Sequence, residues 1–116
     1  MKVVAVEPPA GEDVQGLRNL DEGYIPPIFD PDVLDRRFIV RLRESIEWTR
    51  RLADLGIFSG LSSGAVVAGA VKIAETMDEG TIVALLPDGG WKYLSTGAWT
   101  DDIDAVIERA RRIIYF

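Results

Sequence analysis

Between Ala65 and Met77 the sequence runs Ala-Val-Val-Ala-Gly-Ala-Val-Lys-Ile-Ala-Glu-Thr-Met, apolar almost all the way round a helical wheel. A helix without a polar face must be covered on most of its sides. That requirement governs everything else a chain of 116 residues can do, because one modest core is all it can build. Three apolar runs are available as strands. Val3 to Val6 is stopped by Glu7-Pro8-Pro9, Phe38-Ile39-Val40 is the second, and Thr81 to Leu86 runs into Pro87-Asp88-Gly89-Gly90. Two further helices have amphipathic patterns. Leu42 to Leu55 carries Leu42, Ile46, Trp48, Leu52 and Ala53 on a broad stripe and ends at Gly56. Asp102 to Tyr115 carries Ile103, Val106, Ile107, Ala110, Ile113 and Ile114, with acids in its first turn and Arg109, Arg111 and Arg112 near its end.

Strands alternating with helices predict an α/β fold of three layers with a short, mostly parallel sheet. Three strands are a thin sheet for so apolar a helix, so the pattern reads as one partial domain, residues 1–116, of something larger. Residues 8–32 hold five of the six prolines and read as an irregular surface loop with a helical turn near Val14 to Leu20. Long loops of this kind in compact domains are often functional.

Composition narrows the chemistry. No cysteine excludes a disulfide framework, and no histidine excludes a Ser-His-Asp triad within these residues. A net charge of −6 with scattered basic residues argues against nucleic acid. The longest uncharged run, Leu55 to Val71, has four glycines and three serines in 17 residues, short of the roughly 20 apolar residues of a membrane span. The N-terminus lacks the pattern of a signal peptide. The expectation is a cytoplasmic, acidic α/β domain.

Three segments could carry chemistry. Gly60-Leu61-Ser62-Ser63-Gly64 opens the apolar helix: its glycines allow close backbone approach, and its hydroxyls lie where free N–H groups gather. A serine N-cap with glycine punctuation explains the same residues. Pro87 to Thr96 leaves the C-terminal end of an expected parallel strand, where open α/β sheets bind ligands. Asp88 could equally be a turn residue bonded to its own backbone. Arg18, in Leu17-Arg18-Asn19-Leu20-Asp21-Glu22-Gly23-Tyr24, could clamp an anion or could simply pair with Asp21 or Glu22.

Taken in order, Val-Ala-Val-Glu-Pro, Gly23-Tyr24-Ile25-Pro26, Gly56 to Ala65 and Trp91-Lys92-Tyr93-Leu94-Ser95-Thr96-Gly97 resemble the C-terminal part of the cysteine synthases, from about Val3 to Asp101. The stretch Leu17 to Gly23 is most similar to the branch that uses O-phosphoserine and takes sulfur from a small sulfur-carrier protein. The resemblance implies the large domain of a tryptophan-synthase-β-like fold, pyridoxal phosphate as cofactor, and replacement of the β-substituent of O-phosphoserine or O-acetylserine by sulfur. It implies that Ser62 meets the pyridine nitrogen, with Gly60 and Gly64 shaping the approach. Asp88 and Gly89 would lie beside the ring, and Arg18 would contact the substrate phosphate. A neutral hydroxyl at the pyridine nitrogen suits β-replacement, since it does not hold the ring protonated as an aspartate would.

The family's Schiff-base lysine in a Ser-x-Lys-Asp context and its Gly-Thr-Gly-Gly-Thr phosphate loop do not occur here, and Lys2, Lys72 and Lys92 stand in other contexts. The expectation is therefore a C-terminal third that is inactive alone and self-associates as a homo-oligomer. The alternative is a non-catalytic interaction or regulatory module derived from the same fold.

Overall fold

A computed structural model describes residues 1–112. Two four-residue strands, β1 (Val4–Glu7) and β2 (Arg36–Ile39), pair in parallel with Val4 opposite Arg36 and Glu7 opposite Ile39. Three helices follow, α1 (Leu42–Asp54), α2 (Leu61–Ala74) and α3 (Ile103–Ala110), with single-turn 3₁₀ segments at Pro31–Val33 and a longer one at Gly90–Thr96. The parallel α/β class expected from the alternating pattern is found.

The interior of α2 explains why that helix is so apolar. Gly64 faces α1 so closely that a Cβ there would lie 2.1 Å from Thr49 Oγ1 and 2.2 Å from the Ser45 carbonyl oxygen. Five residues further on, Gly69 faces β1, where a Cβ would lie 2.7 Å from Val6 Cγ2. Glycine on two sides thus lets α2 be gripped between a helix and a strand at near-contact distance. Two buried hydroxyls of α1 are satisfied there: that of Ser45 donates to the Leu61 carbonyl and that of Thr49 to the Ser45 carbonyl. Val40, Leu42, Ile46, Leu61, Ala65, Ala68, Val106 and Ile107 complete the core.

Two expectations are corrected. Thr81 to Leu86 forms no strand: its backbone takes no regular structure, and Val83 and Leu85 are 90% and 79% exposed. The sheet is therefore two-stranded instead of three-stranded. An apolar run becomes a strand only where another strand satisfies its N–H and C=O groups, and no such neighbour stands beside residues 81–86 among the described residues. The helical turn expected near Val14 to Leu20 shrinks to one turn closed by the Leu17 N–H on the Val14 carbonyl at 2.9 Å. Glycines at positive φ on either side of Val14, Gly11 and Gly16, break any longer helix. Of the last expected helix, Ile113 to Tyr115 lie outside the described residues.

The proline-rich loop is irregular yet firmly tied. The buried Glu7 carboxylate accepts the Leu20 N–H at 2.8 Å, and the Asn19 amide donates to the Pro8 carbonyl at 3.0 Å. The Gly11 N–H donates to the Glu22 carboxylate at 3.0 Å. These ties hold the loop down on β1 and bring its middle over the start of α2.

Candidate functional site

The two glycine-rich segments singled out in the sequence meet. Ser59 and Gly89 form an antiparallel bridge. On either side of it the Gly60 N–H donates to the Asp88 carbonyl at 3.1 Å and the Gly90 N–H to the Phe58 carbonyl at 3.2 Å. Gly60 is the N-cap of α2, and no side chain caps that end. The first turn of the helix therefore rests on this backbone pairing.

Asp88 closes over Gly60. A Cβ at position 60 would lie 2.2 Å from Asp88 Oδ1 and 2.6 Å from Tyr93 Cε2, so only a hydrogen fits. The Tyr93 hydroxyl donates to Asp88 Oδ2, and Lys92 Nζ lies 3.7 Å from the same oxygen. Burial of the phenol, reinforced by its bond to the Asp88 carboxylate, pushes the Tyr93 pKa up to about 12.

Ser62 sits two residues into α2 and is 2% exposed. The loop covers it: a Cβ at Gly16 would lie 3.2 Å from Ser62 Oγ. Ser63 and Gly64 after it are buried, and Gly64 faces α1. Five buried polar side-chain atoms have no hydrogen-bond partner among the described residues, and four of them lie on the converging segments: Gln15 Oε1, Ser59 Oγ, Ser63 Oγ and Asp88 Oδ1. Buried polar atoms are nearly always paired, so such a concentration marks a place that accommodates a polar ligand or water.

Arg18 lies on the exposed rim of a groove of about 640 Å³ bounded by Pro8, Glu12, Asn19, Glu22 and Gly23. It makes neither of the ion pairs that would have explained it away. Arg37 takes Asp21 at 2.9 Å, and Glu22 serves the Gly11 N–H. Arg18 has no ion pair among the described residues, so its planar fork of donors is available to an anion.

The three lysines are engaged elsewhere. Lys72 pairs with Glu44 at 2.9 Å, Lys2 lies 3.8 Å from Asp35, and Lys92 lies over the Trp91 ring at 5.6 Å as well as near Asp88. None of them is enclosed.

The structure thus sets Gly60 against Asp88 and Gly89, buries Ser62 at the same helix start with Gly16 of the Arg18 loop over it, and packs Gly64 against α1. Sequence reasoning missed Tyr93, Gln15 and Gly16. Tyr93 stood in plain view inside a recognised motif, but its role depends on a turn folding back onto Gly60, which no periodicity shows. Glycine at position 16 among prolines read as punctuation, and its contact with Ser62 spans 46 positions in the chain.

No protein-family model matches the chain. Curated proteins and solved structures do. The chain is 35% identical to cysteine synthase B of Escherichia coli strain K12 over 101 residues, covering 86% of this chain and 33% of that protein. It is 35% identical to a cysteine synthase of Aquifex aeolicus over 107 residues, again 33% of the relative. Among structures, cysteine synthase from Entamoeba histolytica superposes with a TM-score of 0.77 at 25% identity, covering 98% of this chain and 38% of that one. The chain spans about a third of the length of these curated relatives and takes the fold of the corresponding part of cysteine synthases.

Proposed function

We propose, from this likeness and from the converging loops, that the chain is the ring-side portion of a pyridoxal-phosphate-dependent cysteine synthase, a transferase that replaces the β-substituent of an activated serine with sulfur. Cysteine synthases are pyridoxal-phosphate enzymes. The observation that carries the reading is the pairing of the Gly60 helix start with the Asp88–Gly90 turn, where Ser59, Ser63 and Asp88 each keep a buried polar atom without a partner among the described residues. The donor set suits the cofactor: a buried neutral hydroxyl at a helix start, glycines where backbone must pass close, and no carboxylate within the Gly60–Gly64 motif itself.

Bound pyridoxal phosphate would supply the electron sink on which an amino acid loses its β-substituent. The Ser62 hydroxyl would meet the pyridine nitrogen and leave it unprotonated. Gly60 and Gly64 would hold the helix start in place, and the Asp88–Gly89 turn would wall the ring. Arg18 would bind the phosphate of O-phosphoserine. The ties from Glu7, Asn19 and Glu22 would hold the loop from which it reaches. Sulfur would come from a small sulfur-carrier protein. The lysine that holds the cofactor covalently would come from the part of the enzyme outside these residues, so the isolated chain would be inactive.

Ser62→Ala in the complete enzyme tests the reading. Cofactor affinity is expected to fall several-fold and the absorption band of the bound cofactor to shift. An unchanged band and unchanged affinity would refute the assignment of Ser62.

A further inference from the structure

We propose that Tyr93 is a positioning residue of this site: through Asp88 and Gly60 its hydroxyl fixes where α2 begins, and with it the Ser62 hydroxyl. The inference rests on the reading of Ser62 as the pyridine contact and assigns a residue to which that reading gives no part.

The geometry runs through three contacts. The Tyr93 O–H donates to Asp88 Oδ2, which turns the other carboxylate oxygen onto Gly60, 2.2 Å from where a Cβ would stand. The edge of the Tyr93 ring closes on the same glycine, with its Cε2 2.6 Å from that Cβ position. The Asp88 carbonyl meanwhile accepts the Gly60 N–H at 3.1 Å. Gly60 is held from three directions and leads directly into a helix that has no side-chain cap of its own. Its carbonyl accepts the Gly64 N–H at 3.3 Å, the bond that closes the first turn around Ser62. A displacement of the 88–93 turn therefore passes directly to that turn of helix. Lys92, 3.7 Å from Asp88 Oδ2, cannot replace the phenol, because it lies on the exposed side over Trp91 and leaves the ring edge at Gly60 unsupported.

Tyr93→Phe in the complete enzyme removes one oxygen and keeps the packing. Three readouts are taken: cofactor affinity by fluorescence titration of the apoenzyme, the absorption band of the bound cofactor, and amide exchange at Gly64. Affinity is expected to fall about three- to tenfold, the worth of one hydrogen bond, the band to move in the same direction as in Ser62→Ala, and exchange at Gly64 to quicken while α1 is unaffected. Unchanged exchange at Gly64 overturns the proposal. So does faster exchange with the band unmoved when Ser62→Ala does move it, since Tyr93 would then serve stability alone. If Ser62→Ala leaves the band untouched, the pyridine assignment fails, while faster Gly64 exchange in Tyr93→Phe still upholds the link from Tyr93 to the start of α2.

Discussion

Gly64 and Gly56 are both conspicuous in the sequence, and the structure separates their roles. At Gly64 an added Cβ meets backbone, the Ser45 carbonyl at 2.2 Å and the Thr49 nitrogen at 2.8 Å, and backbone cannot step aside. Alanine ordinarily gains roughly 0.5–1 kcal/mol over glycine inside a helix, and overpacking costs about 1–3 kcal/mol or more. The clash with backbone sits at the upper end of that range and wins, so Gly64→Ala is expected to destabilise by about 2 kcal/mol net and to lower the urea midpoint. Gly56→Ala meets nothing within 4 Å and suffers only its positive φ of 86°, so its loss is expected to be about 1–2 kcal/mol. No loss at Gly64 would mean that α1 and α2 are not in the contact described.

Tyr93 gives a pH signature. Its pKa is raised to about 12 in the folded state, so between about pH 10 and 12 the unfolded chain has lost the proton that the folded chain keeps. Stability from this group is complete below pH 10 and disappears as pH rises toward 12. Absorbance titration of the phenols is expected to show one late-ionising group, and Tyr93→Phe to remove it along with part of the alkaline loss of stability. A titration in which every tyrosine ionises near 10 would break the Tyr93–Asp88 contact. At this scale motif order singled out Ser62, Gly60, Asp88 and Gly89, and the pairing of the two segments that carry them is what the structure adds. Tyr93 was not singled out, because a phenol's partner is set by a fold-back that sequence does not encode locally.

Elements divide along the same line. α1 and the amphipathic start of α3 follow from 3.6-residue periodicity, which is a local property. Asp102 caps α3 by accepting the Ala105 N–H at 3.1 Å, so Asp102→Ala is expected to cost about 1 kcal/mol, read as a lower melting temperature. A change within error would show that Arg109, bonded to Asp101 and to the Thr96 carbonyl, holds the helix without the cap. Residues 81–86 are the contrary case. Their composition is that of a strand, but a strand is a relation between two segments, and no partner pairs with them among the described residues. Residues 8–30 carry no helix or strand, and Pro31 opens a 3₁₀ turn. What could not be read is that a buried carboxylate, Glu7, would tie this loop down through the Leu20 N–H.

The chain as a whole covers a third of its curated relatives, and its surface is consistent with that share. Val83 and Leu85 stand 90% and 79% exposed, and Leu55 76%. Apolar surface of this kind seeks cover, and a net charge of −6 keeps an assembly soluble without hiding the patch. The isolated 116 residues are therefore expected to self-associate at micromolar concentration in sedimentation equilibrium. A monomer with a cooperative unfolding transition would favour a self-sufficient, non-catalytic module. We propose that these residues supply the non-covalent side of a cofactor site, with the covalent anchor outside them. Borohydride reduction in the presence of pyridoxal phosphate, with peptide mapping by mass spectrometry, tests it on the isolated chain and on the complete enzyme together. No stoichiometric label is expected on Lys2, Lys72 or Lys92 in either, and one labelled lysine is expected outside these residues in the complete enzyme. A single stoichiometric label within the chain, at Lys92 above all, would contradict it.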